Sequence, residues 1–162
     1  MPYGIKNIYI TPKTPKVNPL VVKRLLEADV IVSGPGDLYT NQLPVLMVPQ
    51  VKNAFLKSKA KKIFILNVAN KPFETKNFTL DQFVKAFTDH LGVFPFDTVI
   101  ANIDFSHPIP KKYRYKYISL GKQATTQKQY QLVTGKIVDA SFPIYHDSQK
   151  LALLVSKTLE EI

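Results

Sequence analysis

The sequence predicts an α/β fold built on a parallel sheet, and three observations carry that expectation. Short runs of β-branched and aromatic residues, Val30-Ile31-Val32, Ile63-Phe64-Ile65-Leu66 and Thr98-Val99-Ile100-Ala101, alternate with segments whose apolar residues recur at helical spacing, the pattern of repeated β-α-β units. Each run ends in a small polar group: Ser33-Gly34, Asn67 or Asn102. Right-handed crossovers would gather those ends on one edge of the sheet. Finally, 162 residues with 45% hydrophobic content suffice for the core of a single domain covering 1–162.

Taken in order, Ile5 to Ile10 reads as a first strand that Thr11-Pro12 terminates. After the polar stretch Lys13 to Val17, Asn18-Pro19 supplies an N-cap and a proline at the first helical position. Val21, Val22, Leu25 and Leu26 then form an apolar stripe. This helix leads to the strand at Val30, so the span reads as one parallel crossover unit. Leu43 to Val48 and Val51 to Leu56 look helical, but Pro49 lacks an amide and crowds the preceding turn, giving two short helices or one kinked one. Lys57, Lys59, Lys61 and Lys62 read as the solvated carboxyl end of that segment.

The strand at Ile63 leads into a loop from Val68 to Asn77. Thr79 and Gln82 have capping-box spacing, Leu80, Phe83, Val84, Phe87 and Leu91 mark one helix face, and Gly92 stops the helix. His90, in the last turn, reads as a residue that bonds nearby carbonyls. Phe105 to Tyr117 loses periodicity. Its run Lys111-Lys112-Tyr113-Arg114-Tyr115-Lys116-Tyr117 mixes cations with aromatics, as nucleic-acid surfaces do, although an exposed loop with snorkelling side chains is the favoured reading. His107 in the same loop has no neighbour in the context of a nucleophile system. Gly135 to Ala140 reads as a last short strand. Asp147 would cap a closing helix with Leu151, Leu154, Val155 and Leu159 on one face, and Lys150 stands where a capping box wants Glu or Gln.

Charge and composition narrow the function classes. Twenty-two Lys and Arg against 12 Asp and Glu give +10, which favours anionic partners such as nucleotides, phosphosugars or nucleic acid. The absence of cysteine removes disulfides, thiolate nucleophiles and thiolate metal sites together. No apolar run approaches the roughly 20 residues of a membrane helix and no signal-peptide pattern opens the chain, so a soluble, cytoplasmic protein is expected.

The focus is Gly34-Pro35-Gly36-Asp37, where a buried strand stops in a glycine turn and a helix begins with the polar residues up to Gln42. At such a junction backbone amides and the positive helix end can receive an anion, and glycine lets phosphate approach bare backbone. The candidate binding residues in this turn and helix start are Gly34, Pro35, Gly36, Asp37, Tyr39 and Thr40, joined by the strand-end Asn67 and Asn102. No catalytic residue is assigned, and no metal is expected. Asp37, Glu74, Asp104 and Asp147 are too dispersed in sequence to show an acidic cluster.

At Gly34-Pro35-Gly36-Asp37-Leu38-Tyr39-Thr40-Asn41-Gln42-Leu43-Pro44 the chain resembles the 2-phospho-L-lactate transferase-like superfamily, most closely its gluconeogenesis-factor branch. Ile8-Tyr9-Ile10 with Pro12, the Asn-Pro helix, Asn67 with Pro72, Glu74 and Thr75, Asn102, and His146-Asp147 fall in the same order. The resemblance implies a Rossmann-like three-layer sandwich and adds Glu74 and Thr75 to the candidate binding residues. It also implies a nucleotide-sugar (UDP-sugar) ligand in a protein linked to cell shape and growth on gluconeogenic carbon, or a transferase moving a phospholactyl group to a deazaflavin precursor. Three positions depart from the family pattern: Asp37 replaces Ser, Ala69-Asn70 replaces Met-Thr, and Phe73 replaces Gly. Only the C-terminal half of the family domain is matched, and the half with its own glycine-rich loop has no counterpart. A homo-oligomer or a partner chain is therefore expected to complete the fold. The expected ligand is a nucleotide-sugar or another phosphorylated small molecule, rather than nucleic acid or a membrane.

Overall fold

The computed structural model describes residues 4–122 and 129–161. Helix α1 (Pro19–Glu27) leads into β1 (Val30–Ser33), followed by a wide helical turn over Leu38–Gln42 that continues into α2 (Leu43–Leu46) and then α3 (Pro49–Lys57). Next come β2 (Lys61–Ile65), β3 (Ala69–Asn70), α4 (Leu80–Leu91), β4 (Thr98–Asn102), β5 (Lys116–Tyr117), β6 (Gln131–Gly135) and α5 (Ser148–Glu160). The main sheet runs β1-β2-β4-β6, and every pairing in it is parallel. A right-handed crossover from each strand to the next on the same side puts the connecting helices on one face. That face carries α2, α3 and α4, while α5 covers the other. The result is the three-layer α/β architecture expected.

Alternation along the strands builds two cores. Phe64, Val99 and Ala101 face the helix-rich side, where they meet Leu43, Phe55, Phe83 and Phe87. Phe64, Phe87, Phe94 and Phe96 interlock there with ring centroids 5.2–6.4 Å apart, within the range that favours edge-to-face and offset packing. Ile63, Ile65 and Ile100 face the opposite side, beneath Leu151, Leu154 and Val155 of α5.

The helix boundaries follow local chemistry. Asn18 Oδ1 accepts the Leu20 N–H (3.0 Å), and Gln82 Oε1 accepts the Thr79 N–H (2.8 Å), each satisfying a donor that helix geometry leaves free. Pro49 breaks the helical run into α2 and α3. At α5, Asp147 Oδ1 accepts the amides of Gln149 and Lys150 (both 3.1 Å), and Lys150 pairs with that carboxylate (3.3 Å). The capping-box position is thus filled by a cation that binds the cap itself. Among the described residues no helix is long and apolar enough to cross a membrane.

The structure corrects four local expectations. Ile5–Ile10 forms no strand. It lies as an extended arm whose Ile5 N–H bonds the Glu74 carbonyl (3.2 Å) and whose Ile8 N–H bonds His90 Nε2 (3.4 Å), with Ile5 and Ile8 set against the core. The apolar residues are used for packing, without a partner strand, so the first crossover unit does not exist and β1 is an edge strand. The final strand is β6, ending at Gly135 where the sequence suggested it would begin; Leu132 and Val133 supply its apolar residues. Lys61 and Lys62 belong to β2, and Lys62 Nζ turns back to donate to the carbonyls of Ser58 (2.8 Å) and Ala60 (3.2 Å). The two loops expected at 68–77 and 105–117 meet in an antiparallel β3–β5 ladder, Ala69 opposite Tyr117 and Asn70 opposite Lys116.

A candidate cleft at the carboxyl edge of the sheet

The strands turn out at the shared edge through hydrogen bonds between side chains and backbone. Gly34 has φ +94°, and a Cβ there would lie 2.6 Å from the Ile65 carbonyl oxygen. Only glycine lets this turn close against β2. Ser33 Oγ donates to Gln42 Oε1 (2.9 Å), and Gln42 Nε2 donates to the Gly36 carbonyl (2.6 Å), so the helical turn is stitched back onto the loop that precedes it. Gly36 N–H donates to Asn67 Oδ1 (2.9 Å), which joins the end of β1 to the end of β2. A Cβ on Gly36 would have no neighbour nearer than 3.9 Å, so this position is open toward the cleft.

An anion does sit at the helix start, and it is the protein's own. Glu74, 3% exposed, accepts through Oε1 the N–H groups of Tyr39 (2.7 Å) and Thr40 (3.2 Å). Its carboxylate occupies the positive end of the helical turn, where a phosphate would otherwise be favoured. Lys71 ion-pairs with Asp37, and its Nζ stands 3.9 Å from Glu74. The bond to Asp37 is the main cause holding the Lys71 ammonium above its ordinary pKa, against the opposing effect of burial. Asp37, the acidic departure in the turn, is therefore neutralised locally.

A cleft of about 530 Å³ opens in front of this assembly. Pro35, Gly36, Asp37 and Asn67 line it, and the loop after β6 supplies Tyr145 and His146 across from Lys71 and Tyr115. His146 Nε2–H donates to the Leu66 carbonyl (3.1 Å), which leaves Nδ1 without the proton in neutral imidazole. Burial, partly opposed by that bond, lowers the His146 pKa below its usual value.

The remaining candidates do not line this cleft. Gly34 is closed against β2, Tyr39 is buried at the helical turn with burial raising its phenol pKa, and Thr40 contributes its amide to Glu74. Thr75 Oγ1 accepts the Lys71 N–H (3.2 Å). Asn102 Oδ1 accepts from Ile137 N–H (3.1 Å) and Asp104 N–H (3.2 Å), and its Nδ2 donates to the Asp104 carbonyl (2.7 Å). Asn102 thus fastens the loop beyond β4 and leaves little capacity for a ligand. Sequence reasoning missed Gln42, Lys71, Tyr115 and Tyr145 and did not place His146 in the site. Gln42 stood beside the turn, Tyr115 lay within the aromatic-basic run and His146 entered only through the resemblance, whereas Lys71 and Tyr145 carried no sequence signal.

Histidines elsewhere have structural partners. His90 Nδ1–H donates to the Ala86 carbonyl (2.8 Å), the carbonyl-bonding role expected of it. His107 lies 3.6 Å from Asp104, but Ser106 Oγ donates to Asp104 (2.6 Å) and not to the imidazole, so no nucleophile relay is formed. The Ser106 bonds are the leading cause that lowers the Asp104 pKa. Among the described residues no group of three or more His, Asp or Glu side chains could hold a metal ion.

Fold and cleft together define a Rossmann-like α/β protein with its concave surface at the carboxyl edge of a parallel sheet. The chain belongs to the 2-phospho-L-lactate transferase CofD family, whose pattern matches residues 1–139. It is 33% identical to the gluconeogenesis factor of Bacillus subtilis over 98% of this chain and 52% of that protein. A putative gluconeogenesis factor of Aquifex aeolicus is also 33% identical, over 98% and 50% of the respective chains. A crystal structure of a UPF0052-family protein from Bacillus halodurans superposes with a TM-score of 0.79 at 27% identity, covering 91% of this chain and 49% of that one. The chain spans about half the length of the curated relatives it matches.

Proposed function

We propose that this chain forms one wall of a nucleotide-sugar site, with a UDP-sugar as ligand, in a regulatory protein of the gluconeogenesis-factor kind linked to cell shape and carbon metabolism. The observation that carries the reading is the convergence of Lys71, Asp37, Asn67 and Gly36, whose missing side chain leaves room for close approach, on one cleft lined also by Tyr115 and Tyr145. Because Glu74 fills the helix start, the diphosphate draws its positive charge from Lys71, and Asp37 turns to accept a sugar or ribose hydroxyl. The two tyrosines offer faces for the base. The family description supports a second reading as a 2-phospho-L-lactate transferase, for which a deazaflavin precursor is the proposed acceptor.

A second polypeptide, another copy or a partner chain, completes the site along the free edge of β1. Val21, Leu26, Val32 and Val45 support this by lying exposed at or near that edge, where an unpaired strand invites pairing. This chain by itself then lacks the two-sided enclosure that positions donor and acceptor for transfer.

Calorimetric titration with UDP-glucose, UMP and short oligonucleotides tests the proposal. Binding of UDP-glucose that Lys71→Ala and Gly36→Val weaken at least about tenfold supports it, since one lost charge-assisted contact is worth about 1.5–3 kcal/mol. Equal affinity in both variants, or oligonucleotide binding in place of UDP-glucose binding, removes it.

A further inference from the structure

The β3–β5 ladder has two faces, and consecutive residues alternate between them. Ala69 and Tyr115 belong to the cleft described above, whereas Asn70, Arg114 and Lys116 line a separate cavity of about 200 Å³ on the other side, together with Phe73, Lys76 and Asn77. Lys76, Arg114 and Lys116 make no ion pair among the described residues. Three unneutralised cations thus share one small concavity.

Asn70 is the independent second observation. It is 3% exposed, and its Nδ2 donates to the Phe78 carbonyl (2.7 Å), which fixes the amide orientation, while Oδ1 is buried with no hydrogen-bond partner. A buried, unpaired acceptor costs free energy unless something donates to it. Two non-glycine residues of the same lining, Asn77 and Arg114, have φ +60°, a conformation that ordinary side chains adopt at a cost and that gathers at functional sites. Phe73, 63% exposed, also lines this cavity.

We propose that this cavity is a second ligand site, taking a small phosphomonoester that keeps a free hydroxyl. The cations receive the phosphate, the hydroxyl donates to Asn70 Oδ1 as the flexible rim side chains turn toward the anion, and Phe73 covers the carbon skeleton. The volume is below the roughly 300–1,000 Å³ of pockets for drug-sized ligands, so the ligand is a compound of a few carbons and not a whole nucleotide. Exposed cations place the affinity in the weak range and make it fall with salt.

The test is a titration followed by backbone amide NMR, with glycerol 3-phosphate, methyl phosphate and glycerol as probes. Glycerol 3-phosphate is expected to shift the amides of Asn70, Asn77 and Lys116 and to bind about fivefold tighter than methyl phosphate, one neutral hydrogen bond's worth. Arg114→Gly, which keeps the left-handed backbone without strain, and Lys116→Ala, at an exposed position, should each weaken it about tenfold while the fold is retained. Equal affinities for the two phosphates, insensitivity to both variants, or an oligonucleotide that binds more tightly through the same residues would each overturn the assignment.

Discussion

Removing the Glu74 carboxylate should cost far more than its place in a loop of the sequence suggests. Glu74→Ala deletes the acceptor of two amides, at 2.7 and 3.2 Å, in a spot where Glu74 itself is 3% exposed and Tyr39 is 4% exposed. A hydrogen bond to a charged group contributes about 1.5–3 kcal/mol, and buried donors left without an acceptor carry a desolvation penalty of similar size. Two such bonds, one of them long, give about 3–5 kcal/mol, a large part of the 5–15 kcal/mol that stabilises a typical domain. Glu74→Gln keeps a carbonyl oxygen for the amides and loses only the charge, so it should cost about 1–2 kcal/mol. The 3.9 Å approach of the half-exposed Lys71 adds little to either figure. Urea unfolding followed by circular dichroism reads both values, and the alanine variant should melt about 10 °C lower, at 2–4 °C per kcal/mol for a chain of this size. A loss under about 1 kcal/mol for Glu74→Ala, or equal losses for the two variants, would refute the internal-anion account.

The two glycines of the turn should separate cleanly. Gly34→Ala, with its Cβ 2.6 Å from a backbone carbonyl, should destabilise by about 2 kcal/mol or more in chemical denaturation, while Gly36→Ala should be close to neutral; the reverse order would disprove the packing described. His146 should make stability fall below neutral pH. Its folded pKa is depressed from an ordinary 6.5, so the unfolded chain binds the extra proton first, and stability present above that value is lost as pH drops through 6.5 toward the folded pKa. His146→Gln should flatten unfolding free energy between about pH 6.5 and 5, ahead of the window where carboxylates titrate; an unchanged slope would remove His146 as the cause. Light scattering at micromolar concentration should give more than a monomer, and Val32→Lys on the free edge should reduce it; a monomer throughout would leave the edge unpartnered.

The sequence made the parallel strands β1, β2 and β4 readable because each is built on a short apolar run that follows a helix in the chain. Its polar strand ends were equally visible, and Asn67 does join the β1 turn at the cleft. Other features depended on contacts distant in sequence. Ile5 and Ile8 carry strand-like residues, but their backbone has only Glu74 and His90 to bond, so packing overrode propensity. The β3–β5 ladder is two residues long on each side and becomes visible only when loops some 47 residues apart are brought together. Glu74 entered through resemblance, and nothing in its neighbours revealed that it would fill the helix start. Lys71 and Tyr145 lacked any local pattern, since a cleft lined from several loops leaves no periodic trace.

The unequal covering of the sheet's two faces has a further consequence, for the order in which the molecule comes apart. One face is locked by interleaved phenylalanines beneath several helices, whereas the other is shielded by α5, whose sole fully buried residue is Thr158. Fluctuations large enough to admit solvent should begin by lifting that last helix. The beginning of α5 carries Ser148 and Leu151, both in the cleft wall, so the cleft dissolves before the sheet beneath it does. Anything seated against Ser148 and Leu151 would hold the helix down, and the rate at which α5 amides trade their protons for deuterium becomes a gauge of occupancy.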